Sequence, residues 1–251
     1  DVDSEKWREY SQQKTFPMSW VYYRETTRLL KYESRIAENF HHSLFVSTAE
    51  ADKFIELVPE VAARVGSYSN GVDASYFSPQ QTFPSPYNER EKVLVFTGAM
   101  DYWPNIDAVT WFVHDVFPAV LANNPQLRLY IVGSNPVASL RKLADLPGVV
   151  VTGRVADVRP YLAYAVAAIA PMRIARGIQN KVLEAMAMAR PVIVSEAGIE
   201  GIDAIHREDV LVARQANDYG RYIDDVLSQK YQSLGSSARS RVMQDFSWEK
   251  N

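Results

Sequence analysis

The sequence predicts an α/β protein. A complete, doubly wound Rossmann-like domain with a parallel sheet spans residues 92–251, and a partial α/β region spans residues 1–75. Three observations carry this reading. Beyond residue 91, short continuous apolar runs alternate with helical patterns, the mark of a parallel sheet covered on both faces. Before residue 75 only two runs read as strands, too few for a stable sheet of their own. Between them lies VDASYFSPQQTFPSPYNERE, residues 72–91, with three prolines and little periodicity, so residues 76–91 read as a linker.

Taken in order, residues 1–40 are polar, aromatic and helical in pattern. Trp20, Tyr23, Thr27, Leu30 and Ser34 trace one stripe, Arg24 and Arg28 a charged one, and Pro17 suits a helix start. Ser43–Ser47 reads as a strand, and Ser47-Thr-Ala-Glu50 is a capping box opening the next helix. A second strand, Val65–Ser69, runs into the turn dipeptide Asn70-Gly71. The region therefore reads as the tail of a larger domain.

In the second region the strand candidates are Val93–Thr97, Leu127–Val132, Val149–Thr152, Val166–Ala170, Val192–Ser195 and Val210–Ala213. Helical patterns fall at 104–123, 137–145, 157–164, 178–189, 216–229 and 235–245. In the fourth, Ile178, Val182, Ala185, Met186 and Ala189 form an apolar face, while Asn180, Lys181 and Glu184 share another. A sheet of this kind binds ligands at the carboxyl ends of its strands. Glycine follows those ends at Gly98, Gly133, Gly153 and Gly198. The loop before the fourth helix holds Arg173, Arg176 and Gly177. Its cations, together with the free N–H groups of Gly177, Ile178 and Gln179, suit a phosphate. Glu184, in the second turn, is placed to accept from hydroxyls, as an acidic residue does on a ribose.

Composition narrows the function. The chain has 251 residues, 47% of them hydrophobic, and a net charge of −3, which argues against general nucleic-acid binding. With no cysteine and four histidines outside any ligand spacing, neither a thiolate nucleophile nor a metal site is expected. No apolar run is long enough to span a membrane, so a cytoplasmic protein is the expectation. Neither a Gly-x-Gly-x-x-Gly fingerprint nor a Gly-x-x-x-x-Gly-Lys-Ser/Thr loop occurs. His41 and His42 read as surface or boundary positions, His114 as packing beside Trp111, and His206 as a loop residue near the sheet edge.

The ordered series Asn70-Gly-Val-Asp73, Phe96-Thr-Gly98, Ile131-Val-Gly133, Thr152-Gly-Arg-Val155, Gly177, Glu184-Ala-Met-Ala and Pro191-Val-Ile-Val-Ser195 resembles glycosyltransferase family 4. The details DSEKW, GAMDYWPN and RGIQNKVLEAMA are most similar to bacterial sugar transferases associated with exopolysaccharide and exosortase systems. The resemblance covers nearly the whole chain. It implies the GT-B fold and a retaining, metal-independent enzyme. The donor would be a UDP- or GDP-linked sugar and the acceptor a glycan or lipid-linked glycan. It also implies bacterial polysaccharide synthesis, with peripheral association at the inner membrane face through a part of the first domain missing here. A histidine near the reacting sugar would come from that part, and the fragment is expected to bind donor rather than to catalyse efficiently.

Carried over residue by residue, Glu184 resembles the second glutamate of the family's Glu-x7-Glu motif, the ribose-binding one. The first falls on Arg176, a departure, since the usual glutamate works near the donor sugar and an arginine pairs with phosphate or a sugar carboxylate. The family's Gly-Arg pair after the first strand is here Gly98 followed by Ala99 and Met100, so Arg173, Arg176 and Lys181 are expected to neutralise the diphosphate. Gly98 would let a ligand approach the backbone. Gly153-Arg154-Val155 resembles the turn that holds the base, with Val155 as the contact, and Asn180 completes the expected donor set. A sugar-nucleotide epimerase or a phosphorylase on the same fold, a non-catalytic nucleotide-sugar-binding module, and a Rossmann-like domain of another ligand stay as rivals.

Overall fold

The computed structural model describes residues 2–68, 70–175 and 177–248. It forms two compact units, Asp1–Asn70 and Gly71–Asn251.

In the first unit α1 (Asp3–Gln13) packs on α2 (Met18–Asn39). Ser4 Oγ donates to Glu33 Oε2 at 2.6 Å, and Trp7 lies 5.3 Å from Tyr22 between ring centroids. The buried face of α2 therefore runs through Thr26 and Ala37. Trp20 and Tyr23, expected on one stripe with Leu30, point to solvent instead. The reason is tertiary: α1 supplies the matching aromatics and the Ser4 hydroxyl that donates to Glu33 on the other side. Strand β1 (Ser43–Phe45) pairs in parallel with β2 (Val65–Ser67), and α3 (Thr48–Leu57) lies between them in sequence. The Ser47 side chain accepts from the Glu50 N–H at 3.2 Å, the cap read from the sequence. Ser69, expected in the second strand, lies outside the described residues.

The second unit is built on six parallel strands: β3 (Lys92–Thr97), β4 (Leu127–Val132), β5 (Val149–Gly153), β6 (Ala167–Ala170), β7 (Val192–Ser195) and β8 (Leu211–Ala213). Their spatial order is β5-β4-β3-β6-β7-β8, so the order reverses between β3 and β6. Alternate residues feed two cores. Leu94 and Phe96 face the layer of Phe112, Phe117 and Tyr219. Val95 faces Leu162, Val182 and Met186. Both layers bury their side chains almost completely, and this burial of apolar surface is the main driving force for the unit.

The predicted helix over 104–123 is interrupted. It forms α4 (Trp103–Trp111), a wider π-type turn at Phe112–Val116, and α5 (Phe117–Asn123) with Pro118 in its first turn. Proline has no N–H to donate back to residue 114, and the wider turn accommodates its ring. His114 lies exposed on that turn rather than packed beside Trp111. The remaining helices are α6 (Ala138–Arg141), α7 (Arg159–Tyr164), α8 (Asn180–Ala187), α9 (Glu196–Ile199), α10 (Ala216–Leu227) and α11 (Leu234–Asp245). Helix α8 begins two residues later than the periodicity suggested, with Gln179 at its N-cap.

Residues 71–91 pack on the second unit. Tyr87 donates its hydroxyl to the Tyr161 carbonyl at 2.7 Å and lies 4.7 Å from Tyr130 between ring centroids. Arg239 of α11 donates to the carbonyls of Ala74 and Phe77. His206 serves the edge of the sheet: its Nδ1 accepts from the Val212 N–H at 2.9 Å.

Candidate functional site

A cavity of about 410 Å³ opens at the carboxyl ends of β3, β4 and β5, beside the point where strand order reverses. Thr97 and Gly98 follow from β3, Val132 to Ser134 from β4, and Arg154, Val155 and Val158 from the turn after β5. The start of α8 closes it with Asn180, Lys181 and Glu184. An open α/β sheet offers a ligand crevice at such a switch point.

Close backbone packing shapes the strand ends. A Cβ on Gly133 would lie 1.6 Å from the Gly98 carbonyl oxygen, so only glycine fits there. A Cβ on Gly98 would lie 2.7 Å from Asn105 Nδ2. Gly98 is thus required both by its φ of +156° and by the Asn105 amide, and the amide is a cause the residues alone did not reveal. At Gly153 φ is +71° with open space around the α-carbon, so there the requirement is the left-handed turn itself.

Asn105 is almost fully buried on the first turn of α4. Its Nδ2 donates to the Ala99 carbonyl at 2.9 Å, and its Oδ1 accepts from Lys181 Nζ at 2.6 Å. Lys181 Nζ also lies 3.7 Å from Met172 Sδ and 5.0 Å from the centre of the Phe96 ring. These surroundings strip water from the ammonium, and burial pulls the Lys181 pKa down to about 8, with Glu184 pulling the other way. Glu184, one turn along the helix, is pushed up to about 7 by burial, which the nearby Lys181 partly offsets. Two ionisable groups displaced toward neutrality in one crevice is a pattern of functional sites. Arg154 stands exposed at the rim.

Of the residues singled out from the sequence, the structure brings Gly98, Arg154, Val155, Asn180, Lys181 and Glu184 to this cavity. Gly177, Ile178 and Gln179 precede α8 without lining it. Gly177 takes φ +61°. Ile178 is buried in the apolar layer beneath α8, so its side chain packs rather than binds. Gln179 donates its side-chain amide to the Gly177 carbonyl at 3.2 Å. Arg173 is a correction: it does not share the cavity. Its Nε lies 3.3 Å from Asp107 Oδ2, and it lines a second cavity of about 280 Å³ with Trp111, Ser195 and Tyr219. Both cations reach α4, Arg173 at Asp107 and Lys181 at Asn105, but they line different cavities. Arg176 lies outside the described residues. Asn105 was missed as a site residue, although it stands in the quoted GAMDYWPN run. A lone amide in a first helical turn carries no signal of its distant partner. Among the described residues no group of three His, Asp or Glu side chains converges as metal ligands would.

Residues 91–229 match the family model described as glycosyl transferases group 1. The chain belongs to this family. Its fold is that of GT-B glycosyltransferases, as its structural neighbours show. Sucrose-phosphate synthase of Thermosynechococcus elongatus superposes with a TM-score of 0.68 at 24% identity, covering 89% of this chain and 59% of that one. HepE of Anabaena, solved in complex with UDP-glucose, gives 0.70 at 17% identity, covering 88% and 64%. TarM, another solved structure, gives 0.67 at 16% identity, covering 89% and 44%. The chain thus spans less than two thirds of the length of these neighbours. No curated protein matches it. No described helix is long and apolar enough to cross a membrane.

Proposed function

We propose that this chain belongs to a glycosyltransferase that moves a sugar from a nucleotide-diphosphate donor to a glycan or lipid-linked acceptor, with retention at the anomeric carbon and without a metal. The observation that carries the reading is the convergence of Lys181, Glu184 and Arg154 on one crevice at the strand-order switch point. Support also comes from the family match over residues 91–229 and from the UDP-glucose bound by HepE.

In this reading the turn at Gly153–Val155 faces the base through backbone groups. The Glu184 carboxylate accepts from the ribose hydroxyls, which favours its ionised form and offsets the burial that raises its pKa. Lys181 and Arg154 face the diphosphate. As the bond from sugar to diphosphate breaks, negative charge grows on the leaving oxygen. A cation fixed beforehand in a water-poor crevice stabilises that charge without having to reorganise. Positioning of donor and acceptor supplies the rest of the acceleration. Arg176 would add a further cation where the family has a glutamate. A bacterial polysaccharide pathway, with the enzyme at the cytoplasmic face of the membrane, fits an acceptor built on a lipid carrier.

The same arginine favours a second reading, a nucleotide-sugar-binding module without turnover. Turnover by the full-length protein separates the two. The donor site itself is tested by calorimetric titration of this chain with UDP, GDP, ADP and CMP, repeated on Glu184→Ala. One nucleotide should bind, and the substitution should weaken it at least about tenfold, ~1.4 kcal/mol. Equal binding by both proteins would remove Glu184 from the site.

A further inference from the structure

We infer that Asn105 is a positioning residue: its side-chain amide sets where Lys181 presents its amine in the cavity. The inference rests on the reading above, that Lys181 faces the donor's diphosphate. It adds a residue from a different helix, 76 positions away in the chain.

The bonding allows only one orientation of the amide. The Ala99 carbonyl can only accept, so Nδ2 must face it, at 2.9 Å. Oδ1 is then turned toward Lys181 Nζ, which can only donate, at 2.6 Å. Neither contact tolerates the flipped amide. The seat for this amide is itself built by the chain: Gly98 has no Cβ where one would meet Nδ2, and Gly133 has none where one would meet the Gly98 carbonyl. Two glycines at adjacent strand ends thus make room for one buried side chain, and that side chain holds the lysine.

The geometry restrains a flexible side chain. A free lysine loses rotamer entropy when a ligand orders it. Here Asn105, Met172 Sδ and the face of Phe96 hold the ammonium before any ligand arrives. With Asn105 Oδ1 and Met172 Sδ each taking one of its three N–H groups, the held ammonium keeps one to offer a ligand. The amide is neutral, so it orients the cation without cancelling its charge. A carboxylate at the same place would orient it equally well and neutralise it toward phosphate.

The test uses the whole chain and three forms: wild type, Asn105→Asp and Asn105→Ala. Asparagine and aspartate have nearly the same shape, so the aspartate form is the variant that keeps packing if the alanine form fails to fold. The first readout needs no ligand: the titration of Lys181 followed by its side-chain carbon shift in labelled protein. Wild type is expected to titrate near 8. Asn105→Asp should raise that midpoint by about one pH unit or more, because a carboxylate favours the ammonium. Asn105→Ala should lower it, because an acceptor is lost. The second readout is UDP affinity near neutral pH by calorimetry, expected to fall about tenfold in either variant. If the Lys181 midpoint is the same in all three forms, Asn105 is only a packing residue of the 98–105 turn and the inference falls, whatever happens to the melting temperature. If the midpoints move as stated but wild type binds no UDP, the positioning stands and the UDP-donor reading fails.

Discussion

Replacing Glu184 with Gln should stabilise the second unit, and should do so only at higher pH. Burial pushes the Glu184 carboxyl from 4.5 to about 7, with Lys181 partly offsetting the rise. The folded-state pKa is raised, so the folded chain holds a proton that the unfolded chain has released between those two values. Stability from this group is therefore fully present below about pH 4.5 and is lost as pH rises through about 7. At 1.36 kcal/mol per pH unit, the cost of keeping the ionised group buried reaches about 3 kcal/mol above pH ~8. Glutamine has a similar shape and does not titrate, so it escapes that cost. Urea unfolding of both proteins should show curves that nearly coincide at pH ~4 and a gain of about 2 to 3 kcal/mol for Glu184→Gln at pH ~8. The variant should bind nucleotide more weakly, the exchange expected where a binding site holds a destabilised group. A gain of the same size at both pH values, or a loss at the higher one, would refute the burial argument.

Three further outcomes follow from the geometry. Gly133→Ala places a Cβ 1.6 Å from the Gly98 carbonyl oxygen and should cost more than about 4 kcal/mol in urea unfolding, whereas Gly153→Ala, strained only by its φ of +71°, should cost about 1 to 2 kcal/mol. Ser47→Ala removes the acceptor of the Glu50 N–H and should cost about 1 kcal/mol, read as a lower unfolding midpoint of the first unit. Arg154→Ala should weaken UDP binding and flatten its dependence on salt, measured by titration at low and high ionic strength; an unchanged salt dependence would place Arg154 away from the phosphates.

Much of the architecture was legible in the residues because its signals are local. All six expected strands beyond residue 91 agree with the observed ones to within one residue at each end, and Leu127–Val132 and Val192–Ser195 agree at both ends. Apolar runs of that length between helical patterns have few other uses. The Ser47 cap was equally legible, since its partner is three residues away. Where local signals failed, a second element had the deciding vote. The stripe through Trp20 and Tyr23 is apolar enough to be buried, yet α1 packs on Tyr22 and Glu33 of α2, and Ala37 packs with Phe54 and Val61. Pro118 stood in view, but whether it would end a helix or widen one turn depended on the packing of Phe112 and Phe117.

The same division holds at the site. By itself the sequence determined that cations, glycines and one acidic residue gather at strand ends, because strand ends and helix starts are set by periodicity and turn residues. It determined the family for the same reason: the motifs are runs of neighbours in order. Only the tertiary structure decided which of those residues meet. It sent Arg173 to Asp107 and a separate cavity, and it joined Lys181 to Asn105 across 76 positions. It also moved two ionisable groups toward neutrality, since the water each has lost depends on everything packed around it. Spacing along a chain carries no record of desolvation or of partners brought in from other strands, and those two quantities decide what the crevice can hold.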